Sequence, residues 1–328
     1  MIARTIALIS LYSIILCAVV ACQSSGDYYS LLRTGSTERK SSPWIYHGVS
    51  GQTIRTAHYR IHTTVEDVNL IADLPRFYEF AYPVYRNLVM LKGHSHDESE
   101  VSLESSSVMD VYVLNTRKEW EAFTHELLME RANALVRLNR GGFTTRGTSV
   151  YYDIGYHDSL TIAAHEGWHQ FVQTHFVDPL PVWLDEGLAC EMESLSYGFI
   201  DDKNQFQSKN NPQRKRQLID ARNNGRLLNL NDLLEGSPAL YVNDDQSLSS
   251  ADYYAQVWGL VRFLDEYHHG RYRKGLRKLL QDARSGEIAK RMGRGGSHPS
   301  GNQVFRFYFD DDIKQVNKSF IRFVNELE

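Results

Sequence analysis

Apolar residues recur with two different spacings in the first half of the chain, which predicts alternating strands and helices. Short runs rich in β-branched and aromatic residues indicate strands over residues 54–63, 108–114 and 148–154. Apolar positions three and four residues apart predict helices over residues 65–90, 116–138 and 160–176. Asp158 and Ser159 are residue types that cap a helix at its N-terminus, so we expect the last of these helices to begin there.

The second half of the chain is predicted to be mostly helical. Pro179 and Pro181 end the preceding helix, and helical spacing then returns over residues 183–194, 252–267, 271–284 and 316–327. The polar segments 94–107 and 201–216 are predicted to be exposed loops. Strands alternating with helices, followed by helices alone, form an α+β pattern. We therefore expect one α+β domain over residues 46–328, with an N-terminal lobe of about 50–178 and a helical C-terminal lobe of about 179–328.

The first 21 residues are predicted to be a signal peptide and not part of the fold. Arg4 provides a positive start, and residues 5–21 are almost entirely apolar or small. The segment Val19-Val20-Ala21-Cys22 resembles a bacterial lipobox, in which the cysteine is acylated and becomes the mature N-terminus. A single transmembrane anchor is the alternative, because about 17 apolar residues lie near the lower limit for spanning a bilayer.

A lipid anchor on Cys22 would place the protein at the cell envelope. Gln23 is not the aspartate that retains such lipoproteins at the inner membrane, which favours the outer membrane. Residues 22–45 are mostly polar and are predicted to form a flexible tether between lipid and domain.

The net charge bears on nucleic-acid binding, and the cysteine content bears on disulfide bonds. The net charge is −4, and the short basic run 214–216 is predicted to be a solvated surface, so no nucleic-acid partner is expected. Apart from Cys17 in the signal and Cys22, the only cysteine is Cys190, so no disulfide is expected. We interpret Cys190 as a small buried residue.

The segment His165-Glu166-Gly167-Trp168-His169 is the strongest candidate for chemistry. Two histidines four apart on a helix project from one face, and two neutral imidazoles at that spacing can bind one Zn²⁺ ion. Glu166 is not directed at the metal with the two histidines, but it can reach a water bound to the metal. Zinc lowers the pKa of that water to about 7, so Glu166 can act as a general base. The motif also occurs by chance as two surface histidines, so a third ligand is needed to support it.

Two residues could be that third ligand. Glu186 lies past the Pro179 and Pro181 break, where the chain can reverse and a second helix can run back beside the first. His175 is the alternative, but it would need the chain to leave the helix at Val172, and a β-branched residue resists the left-handed conformation required. This geometry favours Glu186, and His175 is then a histidine at a helix C-terminus.

The chain at this point resembles the gluzincins, which are zinc peptidases with an HExxH motif and a later glutamate ligand. The residues that match their second motif are Trp183, Leu184, Glu186, Gly187 and Ala189. The segment 252–264 is similar to a helix of peptidase-MA-like families, often lipoproteins or secreted proteins of unassigned substrate. The resemblance implies a zincin-like fold with a small sheet, one zinc ion and an edge strand above the active helix. We expect the strand 148–154 to be a candidate for that edge.

The resemblance also bears on residues around the metal. It implies a phenol or imidazole near the developing oxyanion, and Tyr254 is the candidate, although it falls on the apolar stripe of its helix and Tyr253 adjoins it. Many relatives carry an acid four residues after the ligand glutamate, where this chain has Cys190, so the carboxylates that orient the histidines are not identified.

Together these observations predict a zinc-dependent metallopeptidase. His165, His169 and Glu186 are expected to bind one Zn²⁺ ion, Glu166 to activate water, and Tyr254 to stabilise the transition state. A peptide or protein is the expected substrate, and the membrane is the expected partner of the lipid anchor. A non-catalytic zinc-binding envelope lipoprotein is one alternative, and a zinc-free domain with coincidental histidines is another.

Overall fold

The computed structural model describes residues 40–90, 108–136, 141–200, 211–241, 248–293, 298–309 and 312–327. The predicted signal peptide, the lipidation candidate Cys22, most of the predicted tether and the predicted loop 94–107 lie outside these residues.

A six-stranded mixed sheet forms the first half of the domain, in the order β1-β2-β3-β4-β6-β5. Its strands are β1 Lys40–Tyr46, β2 Val49–Arg55, β3 Tyr59–Thr63, β4 Met109–Leu114, β5 Gly142–Thr145 and β6 Thr148–Tyr152. The neighbours β3 and β4, and β4 and β6, are parallel, whereas the outer pairs are antiparallel. β5 is therefore an edge strand.

Two tight hairpins build the ends of this sheet. His47 and Gly48 join β1 to β2 with φ of 46° and 81°, and Arg146 and Gly147 join β5 to β6 with φ of 50° and 72°. Two successive left-handed residues are typical of the two-residue turns whose twist matches the strands they connect. The second hairpin places β5 at the sheet edge beside β6.

Helices make up the rest of the described chain. They are α1 Val68–Met90, α2 Arg117–Leu128, α3 Ala132–Leu135, α4 Tyr156–His175, α5 Val182–Met192, α6 Ser194–Ile200, α7 Pro212–Asn223, α8 Leu230–Glu235, α9 Ser250–Gly270, α10 Arg273–Ser285, α11 Glu287–Met292, α12 Gly301–Phe309 and α13 Ile313–Asn325. Short 3-10 turns cover Met129–Arg131 and Pro238–Tyr241, and α9 kinks at residues 267–269. None of the helices in these ranges combines the length and apolar character needed to cross a membrane.

The core is continuous from the sheet into the helical half. On one face of the sheet, Tyr59, Ile61 and Val111 are buried with side chains of α1 and α4. On the other face Trp120 of α2 packs in a smaller cluster with Leu114. In the helical half α9 packs against α5 and α7, which places α5 between α4 and α9.

The α+β class and the sheet-then-helix order predicted from the sequence are confirmed. The strand predicted over 54–63 is in fact two strands, because Thr56 closes a turn with Tyr59 that separates β2 from β3. The helix predicted over 116–138 ends at Leu128, since Met129 adopts a φ of 53°. The predicted tether also extended too far, because residues 40–45 belong to β1.

The start of α4 also differs from the prediction. Asp158 and Ser159 lie inside its first turn, and the helix begins at Tyr156 after Gly155, whose φ is 100°. The capping contacts come instead from Asp153, which accepts hydrogen bonds from the Gly155 amide and the Ser159 hydroxyl. The turn that ends β6 thus holds the helix that carries the two motif histidines.

Candidate metal centre

Two histidines from α4 face each other at the centre of the domain. His165 and His169 lie one turn apart on the same side of the helix, and their side chains are largely buried. Their Nε2 atoms are 3.3 Å apart. Two ring nitrogens at this distance converge on one point, as the four-residue spacing predicts.

The neighbouring helix α5 supplies a carboxylate to the same point. Pro181 stands just before α5, and its carbonyl accepts the amide of Leu184, so the chain reverses soon after α4 ends. One carboxylate oxygen of Glu186, Oε2, lies 3.4 Å from Nε2 of both His165 and His169. That oxygen is buried, and no hydrogen bond from the described residues reaches it.

The three donor atoms suit a tetrahedral zinc ion. Zinc bonds to nitrogen and oxygen of about 2.0–2.1 Å place two tetrahedral ligand atoms about 3.3–3.4 Å apart. The Nε2 atoms of His165 and His169 and Oε2 of Glu186 are separated by 3.3, 3.4 and 3.4 Å. Two imidazoles and a carboxylate are also a donor set that zinc takes in catalytic sites, where a fourth position stays open.

Carboxylates behind the two histidines fix the direction of their rings. Nδ1 of His165 lies 3.0 Å from Glu193, and Nδ1 of His169 lies 3.1 Å from Asp185. Asp185 also accepts a hydrogen bond of 3.0 Å from the indole of Trp168. A ring that donates its Nδ1–H to a carboxylate presents the Nε2 lone pair on its opposite side, so both lone pairs are directed at the common point.

The charges around the centre favour ionised carboxylates. Burial raises the pKa of Glu186, but His169 and His165 outweigh burial and hold that pKa well below its usual value. Burial also raises the pKa of Glu193, yet Arg214 and His165 lower it to about 2. Burial lowers the pKa of His169, but Asp185 and Glu186 raise it to about 10. Without a metal ion His169 therefore carries a proton beside these carboxylates, and a metal ion would displace that proton and take its place as the cation.

A second group of potential ligands, His165, Cys190 and Glu193, overlaps the first. It is less suited to a metal, because the Glu193 oxygens already accept hydrogen bonds from Arg214 and Asn211. Burial raises the pKa of the Cys190 thiol to about 11, which opposes the thiolate that metals bind. The buried character predicted for Cys190 is confirmed.

Glu166 contacts the edge strand β5 with its carboxylate. Its side chain is buried, and burial raises its pKa. The hydroxyl of Thr144 on β5 lies 2.8 Å from Oε2 of Glu166. A Cβ atom on Gly142 would lie 2.7 Å from Cβ of Tyr151 and 3.2 Å from Cγ of Glu166, so only glycine fits where β5 passes over this carboxyl group.

The two adjacent tyrosines of α9 differ in their surroundings. Tyr253 is fully buried, and its hydroxyl donates to the carbonyl of Gly236 at 2.8 Å. The ring of Tyr254 meets the ring of His165 edge-on, with centroids 5.7 Å apart. Burial, and next the charge of Glu186, hold the pKa of the Tyr254 phenol far above its usual value, so it stays a hydrogen-bond donor. Of the two, only Tyr254 lies beside the candidate site.

His175, the alternative third ligand, is not in the group of three donor atoms. Helix α4 continues through Val172 to His175, whose ring packs on Phe171 with centroids 4.6 Å apart. The strand that the sequence left open as a candidate edge is not at the edge, because residues 148–152 form β6, which lies between β4 and β5. The edge above α4 is β5 instead.

Sequence reasoning missed several residues that the fold brings to this site. Arg214 was assigned to a solvated surface, but it is buried against Glu193. Thr144 and Asn211 were not singled out. Glu193 follows Glu186 by seven residues, which is about two helical turns and places both acids on one face. This spacing was the available sequence signal for Glu193.

A scan against protein-family models finds no match to this chain, and a search of curated proteins finds none either.

Proposed function

We propose that the protein is a zinc-dependent metallopeptidase of the gluzincin type, with a zincin-like fold. The observation that carries the proposal is the triangle of donor atoms from His165, His169 and Glu186, with sides of 3.3 to 3.4 Å. The buried Glu186 Oε2 supports it, because this oxygen meets the two imidazole nitrogens at 3.4 Å, too far for a strong charge-assisted hydrogen bond but the separation that a shared zinc ion would give.

One Zn²⁺ ion held there would polarise the scissile carbonyl and lower the pKa of water. The remaining roles belong to side chains of this chain. Glu166 takes the proton of the attacking water and later passes it to the leaving amine. Its burial suits that role, because a raised pKa makes the carboxylate a stronger base. Thr144 holds the carboxyl group in place from the neighbouring strand.

Tyr254 is the proposed donor to the oxyanion. It is beside His165, and its phenol stays protonated. A fixed donor aimed at the developing negative charge lowers the barrier without reorganisation. An extended peptide would pair with β5, the last strand of the described sheet, and main-chain pairing of that kind gives affinity with little sequence preference.

The proposed place of action is the cell envelope. The signal-like start and the lipobox-like Cys22 support export and lipid anchoring, with the outer membrane favoured by Gln23. The substrates would then be peptides or proteins in that compartment.

The test is Glu166→Gln, compared with wild type by metal analysis and by digestion of an unbiased peptide library. We expect both proteins to contain one zinc ion per chain and only wild type to cleave. Cleavage by the variant at the wild-type rate would refute the role of Glu166. Zinc in both proteins with no cleavage by either would instead favour a non-catalytic zinc-binding lipoprotein.

A further inference from the structure

A buried arginine lies behind the candidate metal centre. The Arg214 side chain, near the start of α7, is 13% exposed, and its partner Glu193 is 5% exposed. Two nitrogens of Arg214, Nη2 and Nε, donate to the two oxygens of Glu193 at 2.6 and 2.9 Å. This two-point contact fixes the plane of the carboxylate as well as its position.

The start of α7 is arranged around the same carboxylate. Asn211 precedes the helix, and its side-chain oxygen accepts the amide of Arg214 at 3.1 Å. Its side-chain nitrogen donates to Glu193 at 2.9 Å and to the carbonyl of Cys190 at 2.8 Å. Glu193 therefore has donors on both oxygens in addition to Nδ1 of His165.

Arg214 also contacts a second side chain that touches His165. Its guanidinium carbon lies 5.1 Å from the centre of the Tyr254 ring, within range of a cation–π contact. That ring contacts the His165 imidazole edge-on, so the imidazole is held on a second side. Arg214 thus supports two of the side chains that contact His165, Glu193 and Tyr254.

We propose that Arg214 and Glu193 form a buried brace that positions His165 for its metal ion and so sets the zinc affinity of the site. Both are positioning residues, since they act through His165. The inference rests on the zinc site of the proposed function. Its physical basis is that an imidazole held by a charged carboxylate loses little freedom on binding metal and is a stronger ligand. Without Arg214, the buried Glu193 would lack its neutralising charge and would move or take up a proton.

The chain contains a matched ion pair for comparison. Arg262 on α9 is also 13% exposed, and its nitrogen lies 3.6 Å from Glu191, which is 8% exposed. Glu191 is two residues from Glu193 and accepts a hydrogen bond from Trp258, and Arg262 also pairs with Glu266 on its own helix. Arg262→Met thus removes a charge at the same burial without touching the brace.

The experiment measures the dissociation constant for zinc of the full chain by competition with a chelating dye. The chains compared are wild type, Arg214→Met, the double variant Glu193→Gln with Arg214→Met, and Arg262→Met. We expect Arg214→Met to weaken binding by about 10- to 100-fold, the usual effect of removing an outer partner of a metal ligand. The double variant has no unpaired buried charge, so it should fold, and we expect it to bind at least about tenfold more weakly than wild type.

The control and the possible failures separate the two proposals. Arg262→Met should bind zinc within about twofold of wild type, although it lowers the melting temperature. The brace would be overturned if the double variant bound zinc within about twofold of wild type, or if Arg262→Met lost as much zinc affinity as the double variant. Either result would be compatible with the zinc site itself. A wild-type chain that binds no zinc would overturn the zinc site and the brace with it.

Discussion

Gly187 follows the candidate ligand Glu186, and its lack of a side chain lets α5 approach α9 closely. A Cβ atom built there would lie 2.6 Å from the carbonyl oxygen of Val257 and 2.6 Å from Cγ2 of Val261. The carbonyl belongs to the backbone of α9, so no change of rotamer can relieve the contact. Gly187→Ala therefore has to push the two helices apart.

The expected size of this effect follows from two opposing contributions. Overpacking in a buried contact costs about 1–3 kcal/mol, and a backbone clash belongs at the upper end. Alanine in place of glycine favours the helix by about 1 kcal/mol. We expect Gly187→Ala to be destabilised by about 2 kcal/mol, which lowers the melting temperature of a domain of this length by about 3 °C. Zinc should also bind more weakly, because Glu186 moves with the helix.

The control is Gly259→Ala on α9. Its Cβ would also have a neighbour at 2.6 Å, but that atom is Cδ2 of Leu218, the flexible end of a side chain. Rotation of the leucine can relieve the contact, so we expect stability within about 1 kcal/mol of wild type and unchanged zinc affinity. Calorimetry and zinc titration measure both variants. Wild-type melting and zinc binding in Gly187→Ala, or equal losses in the two variants, would refute the reasoning.

Two further predictions concern the sheet. Thr144→Val removes the hydrogen bond to the Glu166 carboxylate, which is worth about 1.5–3 kcal/mol, so kcat on a cleaved peptide should fall about tenfold or more while KM and zinc content stay unchanged. Thr144→Ser keeps the hydroxyl and should restore kcat. Equal rates in the two variants would contradict the role of Thr144. Burial raises the pKa of Asp110, but His62 and Arg60 outweigh burial and lower that pKa to about 2. The ionised carboxylate therefore adds at most about 2 kcal/mol to the free energy of unfolding. This contribution is complete well above the unfolded-state pKa of about 3.9 and is lost as the pH falls towards about 2. Asp110→Asn should therefore be less stable than wild type near neutral pH, with a difference that shrinks on acidification in unfolding experiments; a difference independent of pH would contradict this.

Part of the site could be predicted from local spacing alone. His165 and His169 meet because four residues are about one turn of a helix. Glu186 was predicted because Pro179 and Pro181 allow the chain to reverse after α4 and because the segment 183–189 resembles the second motif of the gluzincins. The histidine pair needs only the geometry of one helix, whereas the choice of Glu186 also used the family resemblance. The structure places the three donor atoms within 3.4 Å of one another.

The residues behind the metal centre could not be found in this way. Arg214 is in a basic, polar stretch, so its composition predicts a solvated surface. It is buried only because the carboxylate of Glu193, on the extension of α5, lies at the start of α7. Thr144 is an ordinary strand residue until the β5–β6 hairpin sets it over Glu166.

The sequence by itself determined the class of fold, the main helices and strands, and the histidine pair, because periodicity and turn residues act over a few neighbouring positions. It also pointed to Glu186, where the turn after α4 and the family resemblance agree. Only the tertiary structure decided that β5 is the edge strand, that Glu193 and Asp185 orient the two histidines, and that Tyr254 and not Tyr253 lies at the site. These features depend on contacts between elements far apart in the chain, which local pattern does not encode.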